Sequence, residues 1–347
     1  MIKPTLAAVV VFLLIGVTAA QLRVDVRLVN VVATVTDSNG RYVEGLKASD
    51  FSLEEDGVPQ QISHFSQSND LPVSVGIVLD SSTSMERKIG TATRAVDRFL
   101  RGIHEDDDIF LMTFDHAVRV RQDFTSDRDK LWSALYKVKL SWGTSLYDAV
   151  IDGTQKLRRG KYPKKAVLLI TDGVDTSSDE DYGEARLSIR ESEMLVYALG
   201  IAPDRRSRAP MSEGDPPVTL PGGTSPGRLP IPGPIPGVGP SPFPFPLPGP
   251  GRRQFPGSRD TSIDAVDMDV LETFAVESGG KAWLITSDTR RNELQDALDE
   301  IADELRNQYS LGYYPGHDLA DGKWHRIKLT VDNPDYYVRY KKEYLGK

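Results

Sequence analysis

From Val73 to Leu305, short apolar runs alternate with longer amphipathic segments, and this alternation leaves the chain few folds to choose from. Val73 to Leu79, Asp108 to Phe114, Ala166 to Ile170 and Met194 to Ile201 have strand length and are rich in branched apolar residues. Between them, Ile89, Ala92, Val96, Phe99, Leu100 and Ile103 fall on one helical face, and Leu131 to Val138, Tyr147 to Leu157 and roughly Glu180 to Ser192 carry helical spacing. Val118 to Phe124 reads as a short edge strand. Further on, Val270 to Val276 reads as helix and Lys281 to Ile285 as strand, while Leu294, Ala297, Leu298, Ile301 and Leu305 share one face of a last helix. Continuous apolar strands need cover on both faces, which crossover helices supply, so the expected class is α/β: a doubly wound, mostly parallel sheet.

Both ends of the chain have a different rhythm. Leu22, Val24, Val26 and Leu28 alternate with polar residues, and Val29, Val31, Ala33 and Val35 continue in the opposite phase, which predicts strands with a bulge or bend. Ser38-Asn39-Gly40 and Asp56-Gly57 are turn signals between stretches able to pair as hairpins. Residues 21–71 are therefore expected to be β-rich, and so are residues 308–347, where His325, Ile327, Leu329 and Val331 alternate. The two β pieces either pair into one unit into which the α/β domain, residues 72–307, is inserted, or stand as separate appendages. That domain is interrupted at 203–258, a stretch around "PIPGPIPGVGPSPFPFPLPGPG"; residues 203–257 hold 17 of the 23 prolines. Such a composition forms neither helix nor ladder and predicts a disordered insertion, or a segment read by a proline-recognising module through Phe243, Phe245 and Leu247.

The first twenty residues combine Lys3, an apolar run from Leu6 to Val17 and the small residues Thr18-Ala19-Ala20 before Gln21, the pattern of a cleaved secretory signal. The alternative is an uncleaved anchor, but the run falls short of the ~20 residues that span a bilayer. No later segment has that length, so no membrane span is expected in the mature chain. Export ends in the periplasm, at the cell surface or outside. The chain has no cysteine, so thiolate metal sites and thiol catalysis are excluded and the fold rests on core burial. A net charge of −8 argues against nucleic acid as a partner and suits cations.

The end of the first core strand is where chemistry is expected. "GIVLDSSTSMERK" runs from a buried strand into Asp80, Ser82 and Ser84, spaced D-x-S-x-S. The strand "LLITDG" ends at Asp172, and "SWGTSLYDA" offers Thr144 just before a helix. Ligands of open parallel sheets collect at the carboxyl ends of strands, and five oxygen donors without nitrogen or sulfur suit a hard cation. Magnesium keeps waters and accepts hydroxyls with one or two carboxylates; manganese and calcium are the alternatives. The simpler reading of D-x-S-x-S is a turn that caps a helix.

The order D-x-S-x-S, Gly-Thr, Thr-Asp-Gly on alternating elements resembles the von Willebrand factor type A domain, with its Rossmann-like fold and metal-ion-dependent adhesion site. With the signal segment, "GLKASDFSLEEDGVPQQISHF" and "YSLGYYPG", the whole chain resembles exported bacterial proteins called VWFA-related. The resemblance implies Ser82, Ser84 and Thr144 as direct or switchable ligands of the metal, with Asp80 and Asp172 acting largely through water. It also implies an open coordination position for an Asp or Glu carboxylate of a protein partner, and in adhesive relatives a coupling of the site to the last helix, here about Arg291 to Asn307.

A binding module is thus favoured over an enzyme, and a structural protein without metal is the third reading. A metal-dependent hydrolase needs a base or nucleophile in reach; the five histidines, His64, His104, His116, His317 and His325, fall where strand edges or turns are expected, and His116 is nearest the site. No G-x-S-x-G elbow stands between an expected strand and helix, the match at Gly223 to Gly227 falling in the proline-rich stretch, and no Walker glycine loop is present. Asp106-Asp107-Asp108 reads as a solvated turn, Asp148 as a possible outer acceptor for the site, and Trp142 as a rim residue or a loop anchor.

Overall fold

The computed structural model describes residues 28–68, 72–202, 266–286 and 291–347. The signal segment, the alternation from Leu22 to Val26 and the proline-rich segment at 203–258 lie outside the described residues.

The chain enters through β1 (Val29–Thr36), β2 (Phe51–Glu55), β3 (Val58–Gln60) and β4 (Ile62–Ser68). The α/β region follows: β5 (Ser74–Asp80), α1 (Ile89–Gly102), β6 (Asp108–Phe114), β7 (Val118–Thr125), α2 (Arg128–Leu135), α3 (Leu146–Leu157), β8 (Lys165–Thr171), α4 (Tyr182–Arg190), β9 (Leu195–Ile201), α5 (Met268–Ser278), β10 (Lys281–Ile285) and α6 (Arg291–Arg306). Last come β11 (Gln308–Tyr313), β12 (Trp324–Val331), β13 (Tyr337–Tyr340) and β14 (Glu343–Leu345).

The central sheet has the order β10-β9-β8-β5-β6-β7, parallel except for the antiparallel edge pair β6–β7. Its four inner strands, β5, β6, β8 and β9, are buried on both faces, which is why they read as unbroken apolar runs. One face carries Val75, Ile77 and Leu79 against Ala92, Val96 and Phe99 of α1, Leu131 of α2 and Leu298, Ile301 and Leu305 of α6. The other carries Val78, Phe110 and Leu169 against Leu146 and Val150 of α3, Ile189 of α4 and Phe274 of α5. The expected doubly wound α/β class is therefore observed. From β5 the chain first builds outward through β6 and β7, then returns to the opposite side of β5 with β8. The carboxyl ends of β5 and β8 thus flank the crevice where the winding reverses, the usual ligand position in such sheets.

The two β-rich ends pair with each other. β1 lies between β11 and β13, with Val31 opposite Leu311 and Val35 opposite Val338, and β11 also pairs with β4. A second sheet joins β2 to β12, with Leu53 opposite Leu329. Inward residues of both sheets, Val31, Ala33, Val35, Phe51, Leu53, Tyr309, Leu311, Ile327 and Leu329, share one core, so the unit is a small β sandwich. Only Asn307 separates α6 from β11. Buried Glu304 of α6 accepts from Thr34 of β1 at 3.2 Å and pairs with Arg339 of β13, fastening helix to sandwich. On the other flank, Arg190 of α4 lies over the Trp324 ring at 4.1 Å.

Candidate metal centre

β5 delivers Asp80 fully buried at its carboxyl end. Its Oδ1 accepts from the Ser82 amide at 2.8 Å, and its Oδ2 accepts from Thr171 Oγ1, at the end of the neighbouring strand β8, at 2.7 Å. Burial nevertheless dominates and pushes its pKa from 3.8 up to about 6. Such a carboxylate is short of positive charge, and its surroundings favour any cation able to reach it.

The chain then turns through a 3-10 segment, Thr83–Arg87, before α1 begins. This turn brings Ser84 back beneath Ser82, with the two hydroxyl oxygens 2.8 Å apart. Ser84 Oγ donates to Asp172 Oδ1 at 2.8 Å, and Lys88 Nζ reaches Asp172 Oδ2 at 2.6 Å. Asp80, Ser82, Ser84 and Asp172 are thereby drawn together by one set of hydrogen bonds around the ends of β5 and β8.

Thr144 arrives from the loop ahead of α3. Ser141 bridges to Ser82, its amide donating to the Ser81 carbonyl at 2.9 Å, and Gly143 turns with φ +78°, a conformation open to glycine. The Thr144 amide donates to Thr176 Oγ1 at 3.0 Å, while its carbonyl accepts from the amides of Thr176 and Ser177. A Cβ placed on Gly173 would lie 3.8 Å from Thr144 Oγ1 and 3.9 Å from Asp80 Oδ2, so the glycine after Asp172 keeps open the space that Thr144 and Asp80 border. All five sequence-derived residues therefore border the same crevice. The donor set, hydroxyls and carboxylates only, fits magnesium, manganese or calcium and holds nothing that selects a softer metal.

Several neighbours were not legible as functional. Lys88 stands at the start of α1, where a cation is disfavoured by the helix dipole, and turns instead onto Asp172. Its place four residues after Ser84 is the one signal that could have marked it. Asp175 Oδ1 accepts from the Leu146 and Tyr147 amides at 2.7 and 3.3 Å, capping α3 from the loop that follows Asp172. Thr171 opens the Thr-Asp-Gly motif, but its hydrogen bond to Asp80 is not readable from that position alone.

Other expectations need correction. Asp148 does not face the crevice as an outer acceptor: its carboxylate accepts from the Asp179 and Glu180 amides, both at 3.0 Å. Asp107 is not a solvated turn residue but buried, accepting from the Val73 and His104 amides at 2.7 and 2.9 Å, and burial raises its pKa. His325 is no edge or turn residue; it lies on the inward face of β12. Near the crevice, His116 Nδ1 lies 2.8 Å from buried Asp115, and its ring stacks on Trp142 at 4.5 Å. The indole is 65% exposed, so Trp142 is pinned from one side and open on the other, and Val174 is exposed just beyond Gly173.

The family model for the von Willebrand factor type A domain matches residues 75–174, the stretch from β5 to the loop beyond Asp172. No curated protein matches the chain. Among solved structures, a von Willebrand factor type A protein from Catenulispora acidiphila is 11% identical, with 86% of this chain and 72% of that one covered at a TM-score of 0.46. The conserved hypothetical protein BatB from Bacteroides thetaiotaomicron is 18% identical, covering 67% and 98% at 0.42. The corresponding domain of the type V pili tip protein Mfa5 from Porphyromonas gingivalis is 27% identical, covering 30% and 39% at 0.28.

Proposed function

We propose that the von Willebrand factor type A domain carried by this chain is an exported, metal-dependent binding module for an acidic protein partner. Ser82, Ser84 and Thr144 would hold a divalent cation, magnesium before manganese or calcium, with Asp80 and Asp172 acting largely through water. The bound ion would supply a Lewis-acidic position for an Asp or Glu carboxylate of the partner, a charge-assisted contact in partly dehydrated surroundings.

The chain's own residues do the rest. Asp80 is kept in place by Thr171 and the Ser82 amide, so its negative charge faces the crevice at no further ordering cost. Lys88 neutralises Asp172 while no divalent ion is present and keeps Ser84 and Asp172 in register. Trp142 and Val174, exposed on the loops that carry Thr144 and Asp172, form an apolar rim beside the site. Rim contacts of this kind exclude water from a central polar contact.

The observation that carries this reading is the buried Asp80, answered only by neutral donors, beside three hydroxyls and a second carboxylate at the reversal point of the sheet. Its test is capture of exported proteins on two baits, the purified chain and the Asp80→Ala, Ser82→Ala variant, each with and without chelator. A partner lost on chelation and missing from the variant supports the reading. Partners held equally by both baits, chelated or not, contradict it.

A further inference from the structure

A second group of metal-ligating side chains lies in the sandwich and is independent of the crevice. Glu55 of β2, His317 of the segment between β11 and β12, and His325 of β12 each present one ligand atom, all within 4.8 Å of one another. Glu55 and His325 are buried, and His317 is half-buried.

The protonation of the two rings shows what the group lacks. The His317 Nδ1 lies 3.0 Å from the Asp318 carbonyl, an acceptor, so Nδ1 carries the hydrogen and a neutral ring keeps its lone pair on Nε2. That Nε2 is buried and has no aligned hydrogen-bond partner among the described residues, although Glu55 Oε1 is 3.2 Å away. His325 has a carboxylate at each nitrogen, Asp56 at 2.9 Å from Nδ1 and Asp321 at 3.2 Å from Nε2. A neutral imidazole donates from one nitrogen only, so at least one ring nitrogen of each histidine meets an oxygen acceptor with no proton between them. The two rings stack with centroids 4.0 Å apart, and a divalent cation held between their free nitrogens and Glu55 would give each of these atoms a partner with both rings neutral.

We propose that Glu55, His317 and His325 form a second cation site, one for a borderline-soft divalent metal of the zinc class, with Asp321 or water completing the shell. Two imidazoles and a carboxylate are a preferred zinc set and one that magnesium avoids, so the two sites of this chain select different metals. Glu55 is held for the role by the Tyr313 hydroxyl at 3.0 Å and by the Tyr344 hydroxyl, and His317 by the Asp318 carbonyl, the outer contacts that orient metal ligands. Tetrahedral coordination at about 2.0–2.1 Å sets donors roughly 3.3 Å apart. Closing the present spacing takes rotation of His317 out of its stack, which its half-buried position allows. A groove of about 600 Å³ lined by Asp56, Trp324, His325 and Arg326 reaches the His325 side of the group.

The test is equilibrium dialysis of the purified chain against zinc with elemental analysis, and titration with cobalt(II) followed by visible absorption. Three variants are run beside it: His317→Ala, Glu55→Gln, and Asp80→Ala with Ser82→Ala. Expected are one tight zinc per chain, a tetrahedral cobalt spectrum, and both retained in the crevice variant. In His317→Ala, zinc binding weakens by more than ~100-fold, beyond what outer partners alone carry. Because His317 lies outside the strands, this variant is expected to melt within a few degrees of the parent, and it decides the matter if Glu55→Gln fails to fold. Zinc bound equally well by His317→Ala, or no tight zinc on the parent chain, overturns the proposal, and loss of zinc only in the crevice variant assigns the metal to the other site.

Discussion

The crevice above the sheet and the joint between α6 and the sandwich each bury carboxylates, and they give them different partners. At the joint, Glu304 receives Arg339 and the Thr34 hydroxyl from two strands, so a guanidinium answers its charge even though burial still raises its pKa. In the crevice, Asp80 receives only neutral donors, and burial lifts its pKa to about 6. A carboxylate answered by a guanidinium is a fastening; one answered by hydroxyls and amides is a site still in want of charge. Lys88 on Asp172 lies between these cases, a flexible ammonium with a 12% exposed side chain that can yield to another cation.

The sharpest way to break this contrast is to remove one charge at each place. Arg339→Met leaves Glu304 buried and uncompensated, and should cost about 3–5 kcal/mol in urea unfolding. Asp80→Asn should instead stabilise the metal-free chain, by about 1–2 kcal/mol at pH 8, because the charge it deletes is unfavourable there. Equal destabilisation by both variants would erase the distinction.

Next in size is Lys88→Met. If the lysine stands in for a divalent ion, its loss should raise magnesium affinity by about tenfold, roughly 1.4 kcal/mol, as read by titration calorimetry. Unchanged or weaker affinity would make Lys88 a structural residue only.

The pH dependence has a definite sign. Asp80 is raised from 3.8 to about 6 in the folded, metal-free chain, so between these values the folded state holds a proton that the unfolded state has released. Metal-free stability therefore falls as pH rises through this window and stays lower above it. Magnesium competes with that proton, so its affinity should drop by about tenfold per unit as pH falls below about 6; an affinity flat from pH 7 to 5 would remove Asp80 from the site. The smallest effect is expected for Trp142→Ala, within about 0.5 kcal/mol in stability but with weaker partner capture.

What the sequence disclosed divides along the same line. Parallel strands buried on both faces write themselves as apolar runs, so the α/β layers and the polar carboxyl ends of β5 and β8 could be read locally. The D-x-S-x-S spacing is equally local, because one tight turn brings Ser84 under Ser82. The contacts that set charge were hidden, since they join residues far apart in the chain: Thr34 with Glu304, Thr171 with Asp80, Asp175 with the start of α3. Asp148 and Asp107 were misread for the same reason. Each is an acidic residue near a turn, and only the fold decides whether it meets water or buried amides. His325 follows the same alternation as Ile327 and Leu329, and that period already pointed it inward.

The central claim is that hydroxyls and carboxylates from β5, β8 and the loop before α3 bind one divalent cation. It is tested most directly by calorimetric titration of the purified chain with magnesium at pH 7.5, beside the Asp80→Ala, Ser82→Ala variant. The account predicts one magnesium per chain for the parent and no measurable heat of binding for a variant that still melts cooperatively. A parent that binds no magnesium, manganese or calcium, or a variant that binds as the parent does, would contradict it.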